Sequence, residues 1–207
     1  MSMVDETPVS GTEGYAHEAE ALFRQYESIS FADLNRAFLH LLPPPPARVL
    51  DIGAGTGRDA AALAAMGHDV VAVEPTAELR HGAAALHASP RIEWLDDSLP
   101  ELAVLDRRGD RFDLVVLSAV WMHLDEGQRR RAMPAVARCV RPGGTLLLSL
   151  RHGPVPAGRR MFAVSADETI ALAAREGLEP AIRLDDQPGL FGRPGVRWTR
   201  LAFTLVG

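Results

Sequence analysis

From Arg48 onward, short apolar runs alternate with stretches of helical periodicity, and no other feature narrows the possible folds as much. "RVLDI" (48–52), "HDVVAVE" (68–74), "RIEWL" (91–95), "FDLVVLSAV" (112–120) and "GTLLLSL" (144–150) have the apolar richness of strands buried on both faces. Helical patterns separate them. One runs through "RDAAALAAMG" and is closed by Gly67, and an Ala-rich one runs from Thr76 to His87. Another opens at Asp125 with Gln128 three residues on, a capping-box spacing, and carries Pro134, which predicts a kink or a break. "SADETIALAAREG" (165–177) is a further helix, boxed by Ser165 and Glu168 and closed by Gly177. Strands that alternate with helices build a parallel α/β sheet with helices on both faces. Two more strands follow. "LEPAIRL" (178–184) contains Pro180, which suits only a sheet edge. After the Gly/Pro-rich loop "DDQPGLFGRPG" comes "VRWTRLAFTLV" (196–206), where Leu201, Phe203 and Leu205 alternate with Ala202, Thr204 and Val206.

Upstream, Tyr15, Ala19, Leu22, Phe23 and Tyr26 recur at helical spacing. A second helix is expected from its cap Ser30 through Phe31, Leu34, Ala37, Phe38, Leu41 and Leu42. "PPPP" (43–46) ends it, because proline lacks the amide donor and clashes with the preceding turn. Residues 1–14, "MSMVDETPVSGTEG", are acidic and lack an apolar centre, so they read as a disordered tail and not as a secretory signal. The formal net charge of −5 disfavours an electrostatic grip on nucleic acid or on an anionic membrane. No apolar stretch approaches the roughly 20 residues of a membrane span. Cys139 is the one cysteine, which excludes an internal disulfide framework and a Cys-rich zinc site, and no metal is expected. At 207 residues the chain fits one domain, and the expectation is a cytoplasmic enzyme of bacterial type, monomeric or homodimeric.

In such a sheet ligands bind beyond the carboxyl ends of the strands, so the first strand-to-helix turn is the place to search. That turn is "ARVLDIGAGTGRD" (47–59), where Gly53, Gly55 and Gly57 are separated only by Ala54 and Thr56. Missing side chains let a ligand lie against the backbone. A dinucleotide fingerprint would put its third glycine at position 58, which is Arg58. Asp51 ends the strand two residues ahead of the first glycine. A carboxylate there repels a pyrophosphate and suits an ammonium group, which favours an aminoacyl-nucleoside over NAD.

"VLDIGAGTG" resembles motif I of the class I S-adenosylmethionine (SAM)-dependent methyltransferases. Other stretches between Arg48 and Leu150 follow that family's order. The resemblance implies a Rossmann-like, seven-stranded, mostly parallel sheet with helices on both faces and an antiparallel last strand. It implies one domain over 15–207, with a helical lid at 15–42 and the α/β core at 47–207. It also implies SAM as cofactor, with Asp51 on the methionine end and the glycine turn beneath the ligand. Glu74 ends the second strand 23 residues after Asp51, where a carboxylate offers two acceptors to the ribose diol. "WLDDSLPEL" (94–102) resembles the third-strand segment that meets adenine; Asp97 with Ser98 is preferred there, and Asp96 is the alternative. "RFDLVVLSAVWMHL" resembles the fourth-strand motif, with Ser118 where the strand meets the ligand, and "CVRPGGTLLLSL" resembles the entry to the fifth.

Methyl transfer from a sulfonium is an in-line displacement that needs chiefly alignment. His123 is the candidate base, should the acceptor arrive protonated; its other reading is a helix-start histidine bonded to backbone. Trp121 either faces the adenosine or sulfonium, or packs in the core. Tyr15 folds over the pocket towards the methionine carboxylate or packs in its helix, and Arg58 is a second candidate for that carboxylate. Arg159 and Arg160 are candidates for an anionic substrate, although solvated charges are the simpler reading. The expected partner is a small-molecule methyl acceptor. Nucleic acid is disfavoured further because "SAVWMH" lacks the N/D-P-P-Y/F signature of DNA amino-methyltransferases. The competing readings are an NAD(P)-binding oxidoreductase and a non-catalytic SAM-binding protein.

Overall fold

The structure, a computed structural model, describes residues 9–206. Seven strands form one sheet: β1 (Arg48–Ile52), β2 (Asp69–Val73), β3 (Ile92–Leu95), β4 (Phe112–Leu117), β5 (Val140–His152), β6 (Leu178–Pro188) and β7 (Arg197–Leu205). Their order is β3-β2-β1-β4-β5-β7-β6. β1 to β5 run parallel, and β7 slots antiparallel between β5 and β6. The sheet is therefore the mostly parallel, Rossmann-like one that the alternation and the resemblance predict. Pro180 lies on the edge strand β6, where a missing donor leaves no ladder incomplete.

Side chains alternate across each strand, so the sheet builds two cores. On one face, Leu50, Ile52, Val71, Val115, Leu117, Leu146 and Leu148 pack beneath α6 (Glu126–Cys139) and α7 (Ala166–Arg175), with α5 (Ala103–Arg108) beside α6. On the other, Val49, Val70, Ala72, Val116, Leu147 and Ala202 meet α3 (Arg58–Ala65) together with Phe31 and Phe38. The amino-terminal helix α1 (Tyr15–Tyr26) crosses α4 (Ala77–Leu86), and Gly82 makes room for it. A Cβ on Gly82 would stand 2.7 Å from the Phe23 ring.

Local structure departs from the sequence reading, or narrows it, at four places. The helix expected from Ser30 to Leu42 is only α2 (Phe31–Leu34), followed by a 3-10 turn at Leu39–Leu41. Buried Asn35 caps α2: its backbone amide makes the last i→i−4 bond to the Phe31 carbonyl, and its side chain donates to the same carbonyl at 3.2 Å, a local side-chain bond of the kind that competes with further helix. α6 is not broken at Pro134; its capping box and its buried face of Ala132, Met133 and Val136 carry it through. α5 was not anticipated. Its amino end is held by Asp97, whose Oδ2 accepts from the Val104 and Leu105 amides at 2.9 and 3.0 Å. Of the expected disordered tail over 1–14, residues 1–8 lie outside the described ones. Residues 9–14 form turns against the body of the fold, and Val9, Ser10, Gly11 and Thr12 line its main cavity.

Candidate functional site

The strand order turns outward on either side of the β1–β4 pair, and the cavity opens at that point beyond the strand ends. The alternation that buries Val49, Val116, Leu147 and Ala202 brings polar residues to the mouth on the same face: Asp51, Ser118, Ser149 and Arg151, and Arg200. The glycine turn is tied to β2 by the Gly53 and Ala54 amides, which both donate to the Val73 carbonyl at 2.8 and 2.9 Å. Gly53 has φ 70°, and a Cβ there would lie 2.5 Å from Val120 Cγ2. Gly53, Ala54, Gly55 and Thr56 line the cavity; Gly57 does not. Its φ is 84° and a Cβ would stand 2.7 Å from Trp94, so Gly57 serves the packing of the turn on the neighbouring layer and not the ligand face.

Three buried carboxylates stand around the turn. Asp51 is 1% exposed, and its Oδ2 has no hydrogen-bond partner among the described residues. Burial, and then the neighbouring Asp59 and Glu74 charges, push its carboxyl well above the usual range against the pull of Arg58. Asp59 accepts from Arg58 Nε at 2.7 Å through Oδ1, and its Oδ2 also lacks a partner. Glu74 accepts from the Gly55 amide at 2.9 Å and from the Thr76 amide at 2.8 Å. Its pKa is raised by burial, and those two donors oppose the shift.

Just past β3 the alternatives separate. Asp97 is buried and lines the cavity with Ser98, while Asp96 is an exposed partner of Arg80 at 2.9 Å and stays outside it. The Asp97 carboxylate is already occupied in part: Oδ2 caps α5, and Oδ1 accepts from the Ser98 amide at 2.9 Å. Trp121 is fully buried in the core beneath α6 and does not reach the cavity, which corrects its candidacy for the ligand. Its neighbours Val120, Met122 and His123 take the wall instead.

His123 and Tyr15 meet. His123 Nδ1 lies 2.8 Å from the Arg160 carbonyl, and Nε2 lies 3.0 Å from the Tyr15 hydroxyl. A carbonyl only accepts, so Nδ1 carries the hydrogen and Nε2 accepts from Tyr15. Burial lowers the His123 pKa, so the neutral imidazole is the resting form. Burial raises the Tyr15 pKa, so its hydroxyl keeps its proton. Above the Tyr15 ring, at 4.1 Å, sits the Arg159 guanidinium, which is also paired with Glu18. Arg160 is paired with Asp125, and Arg58 donates to Asp59 and to the Tyr26 carbonyl.

The sequence reading missed the far wall. Phe191, Arg193, Trp198 and Arg200 line the cavity on the β7 side, together with Tyr26 at the end of α1. Phe191 and Arg193 come from the loop after β6, and the Tyr26 and Phe191 rings stand 5.9 Å apart. Only the aromatic and the arginine inside an otherwise Gly/Pro-rich loop hinted at them.

Residues 49–144 match a family described as a methyltransferase domain. An uncharacterized methyltransferase of Mycobacterium tuberculosis is 40% identical over 106 residues, which cover 51% of this chain and 40% of that protein. The match thus spans about two fifths of that relative's length. Among solved structures, a TehB-like SAM-dependent methyltransferase of Corynebacterium glutamicum superposes with a TM-score of 0.69 at 22% identity, covering 91% of this chain and 98% of that one. The 1,6-didemethyltoxoflavin-N1-methyltransferase of Burkholderia thailandensis, solved with its substrate and S-adenosylhomocysteine, gives a TM-score of 0.71 at 20% identity, covering 99% and 94%. At these identities the likeness is one of fold. The family model and the relative are both described as methyltransferases, and the two solved structures share the fold that the motifs between Arg48 and Leu150 imply.

Proposed function

We propose that this chain, whose residues 49–144 match a methyltransferase-domain family, transfers a methyl group from SAM to a small-molecule acceptor. One observation carries the reading: the buried Asp51 carboxylate beside bare glycine backbone, with an oxygen that finds no donor among the described residues. A buried charge without a partner is costly, and a cationic ligand group would remove that cost. The ammonium of SAM fits the place, and a pyrophosphate does not, because Asp59 and Glu74 add two more negative charges around the same turn.

In this reading Asp51 holds the amino group and the glycine turn lies beneath the ligand. Glu74 takes the ribose hydroxyls with the lone pairs left over from the Gly55 and Thr76 amides. Asp97 and Ser98 border the adenine. Bound SAM supplies an activated methyl group on a sulfonium. The chain's part is to align the acceptor and exclude water, and Val9–Thr12 and Tyr15 close the mouth. A proton that leaves the acceptor reaches His123 Nε2 through the Tyr15 hydroxyl, which occupies that lone pair, while Nδ1–H stays on the Arg160 carbonyl. His123 is thus a base acting behind Tyr15.

Among the described residues no helix is long and apolar enough to cross a membrane, which suits an acceptor met in water, and a cytoplasmic setting is part of the proposal. Calorimetric titration with SAM, S-adenosylhomocysteine and NADH tests the cofactor. Binding of the first two with no response to NADH is expected; tight NADH binding without a response to SAM would overturn the reading. Labelled methyl transfer to a metabolite panel then separates an enzyme from a protein that only binds SAM.

A further inference from the structure

The cavity is electrically divided. Its carboxylates, Asp51, Asp59 and Glu74, gather at the β1–β2 side, while Arg151, Arg193 and Arg200 line the side made by β5, β7 and the loop after β6. Adjacent strands lie about 4.8 Å apart, so Arg151 on β5 starts two strands, roughly 10 Å, from Asp51, and Arg200 on β7 roughly 14 Å. No carboxylate among the described residues forms an ion pair with any of the three arginines, although Arg159 and Arg160, the candidates read from the sequence, both have one. Among the described residues Arg193 donates only to the Gln25 side-chain oxygen, at 2.8 Å. Arg151 is 8% exposed; among the described residues its Nε has no partner, and its sole side-chain bond is a weak one to Met161 Sδ at 3.8 Å. Burial and the nearby Arg193 charge both disfavour the charged form of Arg151. Guanidiniums stay ionised in proteins, so the buried Arg151 carries positive charge that a ligand anion would neutralise; half-buried Arg200 feels the Asp59 charge across the cavity without pairing with it, and Arg193 is exposed to solvent at the rim. The surfaces beside it are apolar: Tyr26, Phe191, Trp198 and Met161.

We propose that the methyl acceptor carries a carboxylate or phosphate group on a flat, largely apolar body, with the anion held by Arg151, Arg193 and Arg200. The proposal rests on the methyltransferase reading, because it leaves the carboxylate end of the cavity to the donor. Planar guanidiniums present paired donors to such oxyanions, and aromatic rings accept a flat partner.

The test uses benzoate, phenyl phosphate and the neutral isostere benzamide as probes. Each is titrated into the full chain saturated with S-adenosylhomocysteine, with ligand-observed NMR at low salt. At least one anion should bind tenfold or more tightly than benzamide, and the two anions tell which oxyanion the wall prefers. Added NaCl should erase the preference, and so should Arg151→Gln and, independently, Arg200→Gln, with S-adenosylhomocysteine affinity changed less than threefold. Both variants remove unpaired charge and should fold, which near-UV circular dichroism checks. Equal binding of benzamide and both anions to protein that holds S-adenosylhomocysteine overturns the proposal and leaves the methyltransferase reading intact. Loss of S-adenosylhomocysteine affinity in Arg151→Gln with anion binding unchanged also overturns it, by assigning the arginine to the donor's carboxylate. If S-adenosylhomocysteine does not bind at all, the methyltransferase reading fails, and the same titrations on the free chain still decide whether the wall selects anions.

Discussion

Asp51→Asn should move stability and affinity in opposite directions. In the free protein Asp51 is buried, its Oδ2 finds no donor among the described residues, and Asp59 and Glu74 repel its charge. An unsatisfied buried polar group costs about 1–3 kcal/mol, and more when charged. Asparagine keeps the shape and the acceptor oxygen and removes the charge, so the free protein should gain about 1–2 kcal/mol at pH 8. For a domain of this size that raises Tm by about 2–8 °C. The folded-state pKa of Asp51 is raised, so the stability at stake is present at low pH and is lost as pH rises through the folded pKa. The gain in the variant should therefore vanish on acidification towards ordinary carboxylate values. Binding moves the other way. Losing a charge-assisted bond to the ligand ammonium costs about 1.5–3 kcal/mol, which weakens SAM and S-adenosylhomocysteine by roughly 10- to 150-fold. Differential scanning calorimetry at several pH values and isothermal titration read the two effects separately. A destabilised free variant would mean that the carboxylate has a structural partner, and an unchanged affinity would mean that no ammonium sits there. Either result refutes the physical basis of the site.

Three further outcomes are expected. Glu74→Ala should weaken SAM binding by about 1–3 kcal/mol and also lower the melting temperature, because the Gly55 and Thr76 amides lose their acceptor; calorimetry that finds affinity unchanged removes Glu74 from the ribose. The depressed His123 pKa contributes stability that is present above the ordinary imidazole value and is lost as pH falls below it. The melting temperature of the wild type should therefore drop more between pH 7.5 and 5 than that of His123→Gln, and parallel curves would contradict the burial argument. Burial pushes the Cys139 thiol up to about 11, so thiol reagents at pH 8 should label it only under denaturing conditions, and rapid native labelling would show that α6 opens.

The core of the fold was legible because its rules are local. Apolar runs, Gly67 and Gly177 at helix ends, and the Asp125–Gln128 box each act within a few residues, and Pro180 alone places a strand at the edge. The readings that the sequence left open, or that the structure changed, depended on what a side chain meets in space. Trp121 sits two residues from His123, yet the 3-10 turn at Trp121–His123 sends the indole into the core and keeps the imidazole at the wall. Asp96 and Asp97 are adjacent in the segment just after β3, and there the preferred Asp97 turns inward while Asp96 pairs with Arg80 at the surface. Asn35 ended a helix whose apolar stripe continues past it, since Phe38 is buried all the same.

The cationic wall shows the limit most clearly. Arg200 lies 149 residues beyond Asp51 in the chain, in a strand that reads as an ordinary alternation, and nothing local marks it as part of the same cavity. Its place follows only from the insertion of β7 beside β5, where the register pairs Leu147 with Ala202 and Ser149 with Arg200. Two residues past the Leu147–Ala202 pair the sheet face changes from aliphatic to polar at the cavity, where Ser149 stays buried and Arg200 half-buried. Sliding β7 by one residue would turn Arg200 to the opposite face and bring Thr199 or Leu201 to the cavity instead. The selectivity of this wall for an anion is therefore set by strand register, a property of the assembled sheet, while the donor end is set by a single contiguous turn.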